Sequence, residues 1–252
     1  MNSGFLLINK LSGPTSHDIV DELRKITSVK KIGHSGTLDP FASGLLIVAV
    51  GREATRQIAQ FIKQDKTYVA KLHLGAVSDT YDRTGRVRNV ARPRDILSGL
   101  FRTKIEKILQ KFVGPQKQIP PMYSAKKING KKLYELARQG KEIERNPIDI
   151  NIHYIKQLAA MGLPPAAHTE CSGAHIIIEV RVSSGTYIRS LANDIGQALG
   201  CGAYLEELKR TRIGNHELGG AVDIAALNKK NWRQALMACH DERPQETIFS
   251  LK

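Results

Sequence analysis

The sequence has 252 residues, of which 41% are hydrophobic and 25% are charged, as is ordinary for a globular protein long enough to bury a sizeable core. Its 38 Lys and Arg against 24 Asp and Glu give a formal net charge of +14. That charge favours a polyanionic partner, nucleic acid first, although a membrane surface fits the same charge. The apolar run at 5–8 is too short for a signal-peptide core and no stretch is long enough to span a membrane, so we expect a cytoplasmic protein with no membrane partner.

The cysteines argue against a metal centre. Cys171, Cys201 and Cys239 are widely spaced and have no metal-ligand pattern, so we predict no metal site. An odd number of isolated cysteines fits a reducing cytosol, where cysteines behave as small buried hydrophobes.

The first predicted elements are a strand and a helix. Residues 4–9 form an apolar run typical of a strand, and Thr15 with Ser16 then offers an N-cap. Apolar residues recur at helical spacing as far as residue 28: Ile19, Val20, Leu23 and Ile26.

A loop follows that is punctuated by four small or rigid residues: Gly33, Gly36, Pro40 and Gly44. The Val- and Ile-rich run at 45–50 predicts a buried strand after it. Asp39 therefore lies on a rigid turn at the edge of a sheet, the kind of position where catalytic groups concentrate. An Asp before Pro is also a common turn initiator, and the loop has the spacing of neither a P-loop nor a nucleophile elbow.

The next elements alternate between helix and strand. Residues 52–62 predict a short amphipathic helix, and residues 66–75 alternate like a half-buried strand that carries Tyr68. The acidic stretch 79–85 lacks the ligand spacing of an EF-hand loop, and we expect a solvated turn with no catalytic role. Apolar spacing over 93–112 predicts a second helix, which Gly-Pro ends.

A basic stretch lies in the middle of the chain. Asn129-Gly130 is a strong hairpin-turn signal, with basic side chains crowded around it: Lys126, Lys127, Lys131, Lys132, Arg138 and Lys141. A basic stretch is usually a solvated face, but with Tyr123 and Tyr134 interleaved it also fits a loop that grips RNA.

The following part returns to strands. Residues 147–157 predict a strand, the Ala-, Gly- and Pro-rich residues 158–174 a surface loop, and residues 175–183 a strongly alternating strand. Tyr187 and Arg189 come next and lead into a helix. Judged from its neighbours alone, Arg189 is a surface arginine.

Several of these segments resemble the TruB family of tRNA pseudouridine-55 synthases. The family's active-site motif is similar to residues 33–46, which read G-H-S-G-T-L-D-P-F-A-S-G-L-L. Its tyrosine segment resembles K-x-Y followed by L-G within 66–75, and its second functional motif resembles S-G-T-Y-I-R-S-L at 184–191. Val182 stands where cysteine is common in the family, and Leu11 where proline is usual.

The resemblance covers roughly residues 6–214 and implies the pseudouridine-synthase fold. This is an α+β fold with a mixed, mostly antiparallel central sheet flanked by helices, an active-site cleft and an RNA-binding thumb loop at about 118–146. We therefore expect a catalytic domain at 1–214 and a short extension at 215–252 that is no full PUA domain. The implied partner is the T-arm stem-loop of tRNA, bound by a monomer that needs no protein partner and no cofactor.

The resemblance also assigns roles to residues of the matched motifs. Asp39 is the catalytic residue, and Arg189 pairs with it, in isomerising the uridine at position 55 of tRNA after base flipping. Substrate binding falls to five residues: His34, Tyr68, Tyr187, Arg189 and Leu208. The two tyrosines sandwich the flipped base, the leucine packs its pocket, and the histidine helps to fill the space that the base leaves.

The chemistry is coherent with those roles. A carboxylate can act as a nucleophile on the detaching fragment, and a nearby arginine would lower its pKa and keep it charged. Attack on the base and attack on the sugar both fit the sequence. Two other functions also fit: a non-catalytic RNA-binding protein or tRNA folding chaperone, and a guide-RNA-dependent pseudouridine synthase. The trio Asp39, Tyr68 and Arg189 favours an enzyme, and the thumb-like stretch favours stand-alone action.

Overall fold

The structure is a computed structural model that describes residues 3–90, 100–124, 127–128, 131–132, 143–161 and 174–238. The chain divides into two compact units, which are Met1–Tyr68 with Leu208–Lys252, and Val69–Glu207. Two long strands, β4 (Lys66–Leu74) and β12 (Ala203–Ile213), each contribute residues to both units. Among the helices of the described ranges, none has the length and hydropathy to cross a bilayer. The predicted boundary near residue 214 stays a prediction.

The first unit is built on a short mixed sheet. Besides the start of β4 and the end of β12, its helices and strands are β1 (Gly4–Lys10), α1 (Ser16–Thr27), β2 (Ile32–His34), β3 (Ser43–Val50), α2 (Arg52–Gln57), α3 (Ala59–Ile62), β13 (His216–Glu217) and β14 (Val222–Asp223). The strand order is β14-β1-β3-β12, and β2 also pairs with β3. β1 and β2 run antiparallel to β3, whereas β12 runs parallel to it.

Both faces of β1 and β3 are buried, which explains the unbroken apolar run of β3. One face, which includes Leu6 and Leu46, packs against α1 and the fully buried Trp232. The other face includes Phe5 and Leu45 and packs against the segment of α2 and α3. Because a strand alternates its side chains, a core on each side requires hydrophobic residues at every position.

The helices of this unit confirm one prediction and correct another. Thr15 caps α1 in a reciprocal capping box with Asp18, as the sequence predicted for the helix start. The single helix predicted over 52–62 was wrong, because α2 and α3 are separate short helices. The carbonyl of Ile58 accepts from both Phe61 N and Ile62 N, a bifurcated contact that includes the shorter spacing of a 3-10 turn.

Within the described residues, the second unit combines a sheet with two helices of twelve residues. Besides the end of β4 and the start of β12, its helices and strands are β5 (Ala76–Ser78), β6 (Val87–Asn89), α4 (Leu100–Lys111), β7 (Gly114–Gln118), β8 (Lys127–Ile128), β9 (Lys131–Lys132), β10 (Ile148–Met161), β11 (His175–Val182) and α5 (Ile188–Leu199). Its sheet has the order β12-β4-β11-β10-β7, in which β10 runs antiparallel to both neighbours. The predicted mixed, mostly antiparallel α+β class is confirmed.

Strand β10 is longer than the sequence predicted. A loop was expected from residue 158, but Ala159, Ala160 and Met161 still pair with β11. Pairing with a neighbouring strand overrides the weak strand propensity of this Ala-rich stretch. In the second predicted helix, residues 100–111 are helical, and residues 93–99 lie outside the described ranges.

The basic stretch is described only in part. Lys127 pairs with Lys132 and Ile128 with Lys131, in the antiparallel ladder that a two-residue hairpin connection requires. Asn129-Gly130, Lys126 and Arg138 lie outside the described residues.

Candidate active site

The loop that carries Asp39 joins β2 to β3 in the first unit. Ala42 N donates to Asp39 O at 3.0 Å, which closes a four-residue turn with Pro40 at its second position, where proline's fixed φ is favoured. Gly13 N donates to the Pro40 carbonyl at 2.8 Å and so ties a second loop to this turn. The Asp39 side chain is half-buried. The predicted rigid turn is therefore confirmed.

The side chain of Lys10 binds the backbone of this turn. Its side chain is fully buried, and its Nζ donates to three carbonyls: Ala42 at 2.7 Å, Leu11 at 2.9 Å and Pro40 at 3.4 Å. Burial lowers the pKa of Lys10 to about 8, and the Asp39 carboxylate acts in the opposite direction. Because the ammonium group binds the carbonyls of Pro40 and Ala42, it restricts the backbone directly after Asp39. It also places positive charge near the Asp39 carboxylate.

Arg210 binds the backbone of the same loop at Gly36 and Leu45. It is 1% exposed, and its guanidinium donates to the carbonyls of Leu45 (2.7 Å) and Gly36 (3.2 Å). Gly44 lies against the Arg210 backbone with φ +109°, and a Cβ at Gly44 would stand 2.2 Å from the Arg210 carbonyl oxygen. This glycine is required both by its φ and by the close approach of β12.

His34 lies at the start of the loop and is half-buried. Gly36 N donates to its Nδ1 at 3.3 Å, a contact that needs an unprotonated nitrogen. Burial, followed by the charges of Arg210 and His17, lowers the pKa of His34. His34 is therefore a neutral ring at neutral pH.

Tyr68 and Leu208 lie on the two strands that both units share. Their side chains are buried, with 8% and 7% exposed. The two strands are joined in this region by the Thr211 hydroxyl, which donates to the Thr67 carbonyl at 3.3 Å. The first unit thus holds four of the predicted site residues, and their roles toward a base stay predictions.

Arg189 lies in the first turn of α5, in the second unit, and it is not a surface residue. It is 6% exposed, and its guanidinium donates to the carbonyls of Tyr123 (2.8 Å) and Thr80 (3.2 Å). Its Nη1 also lies 3.4 Å from the carboxylate of Asp82. The interpretation from its local sequence was therefore wrong, because contacts from distant segments bury this side chain.

The prediction that the acidic turn is solvated was wrong for Asp82, although Asp79, Arg83 and Thr84 are exposed. Asp82 is 3% exposed, and its Oδ1 accepts from the hydroxyl and the backbone N of Thr84 and from the Thr80 hydroxyl, at 2.6–2.8 Å. Its other oxygen faces Arg189. The adjoining Tyr81 has φ +63°, an uncommon value for a non-glycine residue, in the turn that directs Asp82 inward.

Tyr187 is the N-cap of α5 and is held through its backbone. The buried side-chain amide of Gln118 accepts from Tyr187 N at 2.8 Å and donates to Tyr187 O at 3.0 Å. Ser190 Oγ donates to the Ile119 carbonyl at 2.9 Å and ties the same helix turn to the end of β7. The side chain of Tyr187 is half-buried and so is available in part to a ligand.

Comparison with known proteins decides the family. The model of the N-terminal domain of TruB family pseudouridylate synthases matches residues 24–188, and the model of the C-terminal domain of tRNA pseudouridylate synthase B matches residues 189–245. The chain belongs to the TruB family. Two TruB relatives are the tRNA pseudouridine synthases B of Protochlamydia amoebophila and Chlamydia felis. The first is 46% identical over 89% of this chain and 79% of its own length, and the second is 41% identical over 92% of each.

A solved structure agrees with the TruB assignment. A chain of a Cbf5-Nop10-Gar1 complex aligns with a TM-score of 0.62 and 31% identity over 88% of this chain. The alignment covers 52% of that chain, so this protein spans about half its length. The likeness confirms the fold that the sequence motifs implied.

Four residues of the TruB chain that shape these loops were not predicted: Lys10, Asp82, Gln118 and Arg210. Asp82 was visible only as part of an acidic turn, and a polar residue in a turn is normally solvated. The others are single residues on strands, whose burial depends on which strands become neighbours. No local pattern marks such a residue, because most of its partners are backbone groups of remote segments.

Proposed function

We propose that this protein isomerises uridine to pseudouridine at position 55, in the T-loop of tRNA. The observation that carries the proposal is the continuous match to TruB family models over 24–245, together with relatives named tRNA pseudouridine synthase B. The net charge of +14 supports an RNA partner, because phosphate contacts supply much of the affinity for nucleic acids.

Asp39 is the proposed catalytic group. The reaction breaks the C1′–N1 bond and forms a C1′–C5 bond, while the C5 hydrogen leaves as a proton and N1 gains one. The balance requires no oxidant or reductant, and a carboxylate nucleophile is sufficient to hold the detached fragment. Lys10 supports this role, since it binds the carbonyls of Pro40 and Ala42 directly after Asp39 and so restricts the turn. Arg189 is proposed as the cation that pairs with Asp39 and keeps it ionised.

The target base must leave its stack to be reached, at a cost of a few kcal/mol. Tyr68 and Tyr187 are proposed to sandwich the flipped base, and stacking on an aromatic face contributes about 1–3 kcal/mol per base. Leu208 packs the base pocket, and His34 fills the vacated space in the RNA loop. A neutral His34 suits this role, because a neutral ring can replace a base among other bases.

RNA binding is proposed to extend over the basic stretch: Lys126, Lys127, Lys131, Lys132 and Arg138. These side chains would contact phosphates, which position the RNA without reading its sequence. Recognition would then depend on the shape of the folded T-arm. We propose that the protein acts in the cytoplasm as a monomer without a guide RNA or protein partner.

The test uses a T-arm stem-loop whose target uridine carries tritium at C5. The full chain should release tritium stoichiometrically with the RNA and should release none when only a uridine of the stem is labelled. Binding of the RNA is measured in the same samples. RNA that binds without releasing tritium would contradict the proposal and would indicate a non-catalytic RNA-binding protein.

A further inference from the structure

Three strands of the second unit bring two histidines and a glutamate together on one side of the sheet. His73 lies on β4, His175 begins β11 and Glu206 lies on β12, and β4 is the middle strand of the three. One ligand atom from each residue, His73 Nδ1, His175 Nε2 and a Glu206 carboxylate oxygen, lies within 4.8 Å of the other two. All three residues are half-buried, and none was assigned a role in the proposed reaction.

Two of the three separations are near those of atoms that share one small cation. His73 Nδ1 lies 3.2 Å from His175 Nε2, which lies 2.8 Å from Glu206 Oε2. In a tetrahedral zinc site with bonds of about 2.0–2.1 Å, neighbouring ligand atoms stand roughly 3.3 Å apart. Two imidazole nitrogens and one carboxylate oxygen are also a ligand set that zinc uses, with a fourth position left for water.

The carboxylate of Glu206 already faces two nitrogen groups of the protein. Glu206 Oε2 is buried, and its polar neighbours are His175 Nε2 at 2.8 Å and Lys71 Nζ at 3.1 Å. A metal ion between the imidazole and the carboxylate would take over the charge pairing that Lys71 now provides. Lys71 is the competing cation, but it also lies 3.5 Å from Glu207 and can remain paired there.

A neighbouring aromatic ring restricts the position of the His73 imidazole. The ring of Tyr204 stacks on His73 with centroids 4.8 Å apart and an interplanar angle of 17°, which restricts the orientation of the imidazole. Sites on adjacent strands are rigid, because the sheet fixes the spacing of the ligands.

We propose that His73, His175 and Glu206 form a zinc-binding site on β4, β11 and β12. The site is independent of the proposed reaction and would join three strands of the second unit. Zinc bound there stabilises the folded chain, because the unfolded chain does not keep the three ligands together.

The test is a titration of the chelator-treated full chain with Zn²⁺, followed by Co²⁺ as a spectroscopic probe. The wild type should bind one equivalent of Zn²⁺, and its Co²⁺ complex should show the intense d–d absorption of a tetrahedral site. Glu206→Gln keeps the shape of the side chain and His73→Gln removes one nitrogen, and each should weaken Zn²⁺ binding by about tenfold or more. His17→Gln is the matched control, since His17 is 71% exposed and belongs to no such cluster, and it should bind as the wild type does.

Each outcome bears on the proposal. Absence of a stoichiometric Zn²⁺ equivalent in the wild type, or a weak octahedral Co²⁺ spectrum, would overturn it without any variant. Equal Zn²⁺ affinity of His73→Gln and His17→Gln would also overturn it. Circular dichroism shows whether each variant is folded, and if one ligand variant fails to fold, the other and the wild-type spectrum still decide.

Discussion

Replacement of Asp82 by asparagine tests the buried ion pair on which the second unit depends. Asp82→Asn keeps the size of the side chain, and its Oδ1 can still accept from the Thr80 and Thr84 hydroxyls. The change places an amide NH₂ opposite the Arg189 guanidinium, where an acceptor stood at 3.4 Å. Two donors then face each other in a site where both side chains are at most 6% exposed.

The size of the effect follows from distance and burial. At 3.4 Å and an effective dielectric constant of about 20, the attraction between the two charges is roughly 5 kcal/mol. Loss of hydration on burial offsets part of that attraction, whereas leaving one charge of a buried pair without its partner costs about 3–5 kcal/mol. We expect Asp82→Asn to lower the free energy of unfolding by about 3 kcal/mol.

Urea denaturation at pH 7 measures this loss. The control is Asp79→Asn, the same chemical change on an exposed residue of the same turn, whose Oδ1 accepts from Arg86 N at 2.9 Å. The double variant with Arg189→Met completes a thermodynamic cycle, and we expect a coupling energy of about 2 kcal/mol or more. The reasoning is refuted if Asp82→Asn unfolds like Asp79→Asn, or if the two single effects simply add.

The remaining predictions concern the loop of Asp39. Gly44→Ala should destabilise the protein by about 3 kcal/mol in urea unfolding, because its Cβ would meet the Arg210 carbonyl at 2.2 Å. Gly36 has φ +131°, but a Cβ there would meet nothing within 4 Å, so Gly36→Ala should cost only about 1 kcal/mol. Equal losses of stability in the two variants would contradict the close approach of Gly44 to the Arg210 backbone. Folding lowers the pKa of Lys10 from 10.5 to about 8. Between these two pH values the unfolded chain binds a proton that the folded chain does not, so the free energy of unfolding rises with pH. Lys10→Met should lack that rise, which is about 3 kcal/mol at most. The measurement is urea unfolding of both proteins from pH 7 to 10, and the same dependence of the free energy of unfolding on pH in both would refute the prediction.

The sequence predicted elements whose cause is local. The helix start at Thr15 follows from a capping box with Asp18, and the strand over 45–50 follows from an apolar run that is typical of a strand buried on both faces. The turn at Asp39 follows from the proline after it. In each case the residues that cause the structure are neighbours in the chain.

Features that depend on distant segments could not be predicted in this way. The burial of Arg189 requires carbonyls at Thr80 and Tyr123, more than sixty residues away in the chain. His73 and His175 come into contact only because β11 lies beside β4. Glu206 joins them because β12 is the other neighbour of β4 in the sheet. The expectation of no metal site rested on cysteine spacing and on the family resemblance, and neither contains information about this cluster.

The most direct test of the proposed function compares Asp39→Asn with the wild type on one labelled T-arm RNA. RNA binding and tritium release are measured in the same sample, with Asp79→Asn as a carboxylate-to-amide control on an exposed turn. We predict that Asp39→Asn binds the RNA within about twofold of the wild type and releases no tritium, because uniform binding is kept while the transition-state interaction is lost. Tritium release by Asp39→Asn at a rate near that of the wild type would contradict the central claim that Asp39 is the catalytic group.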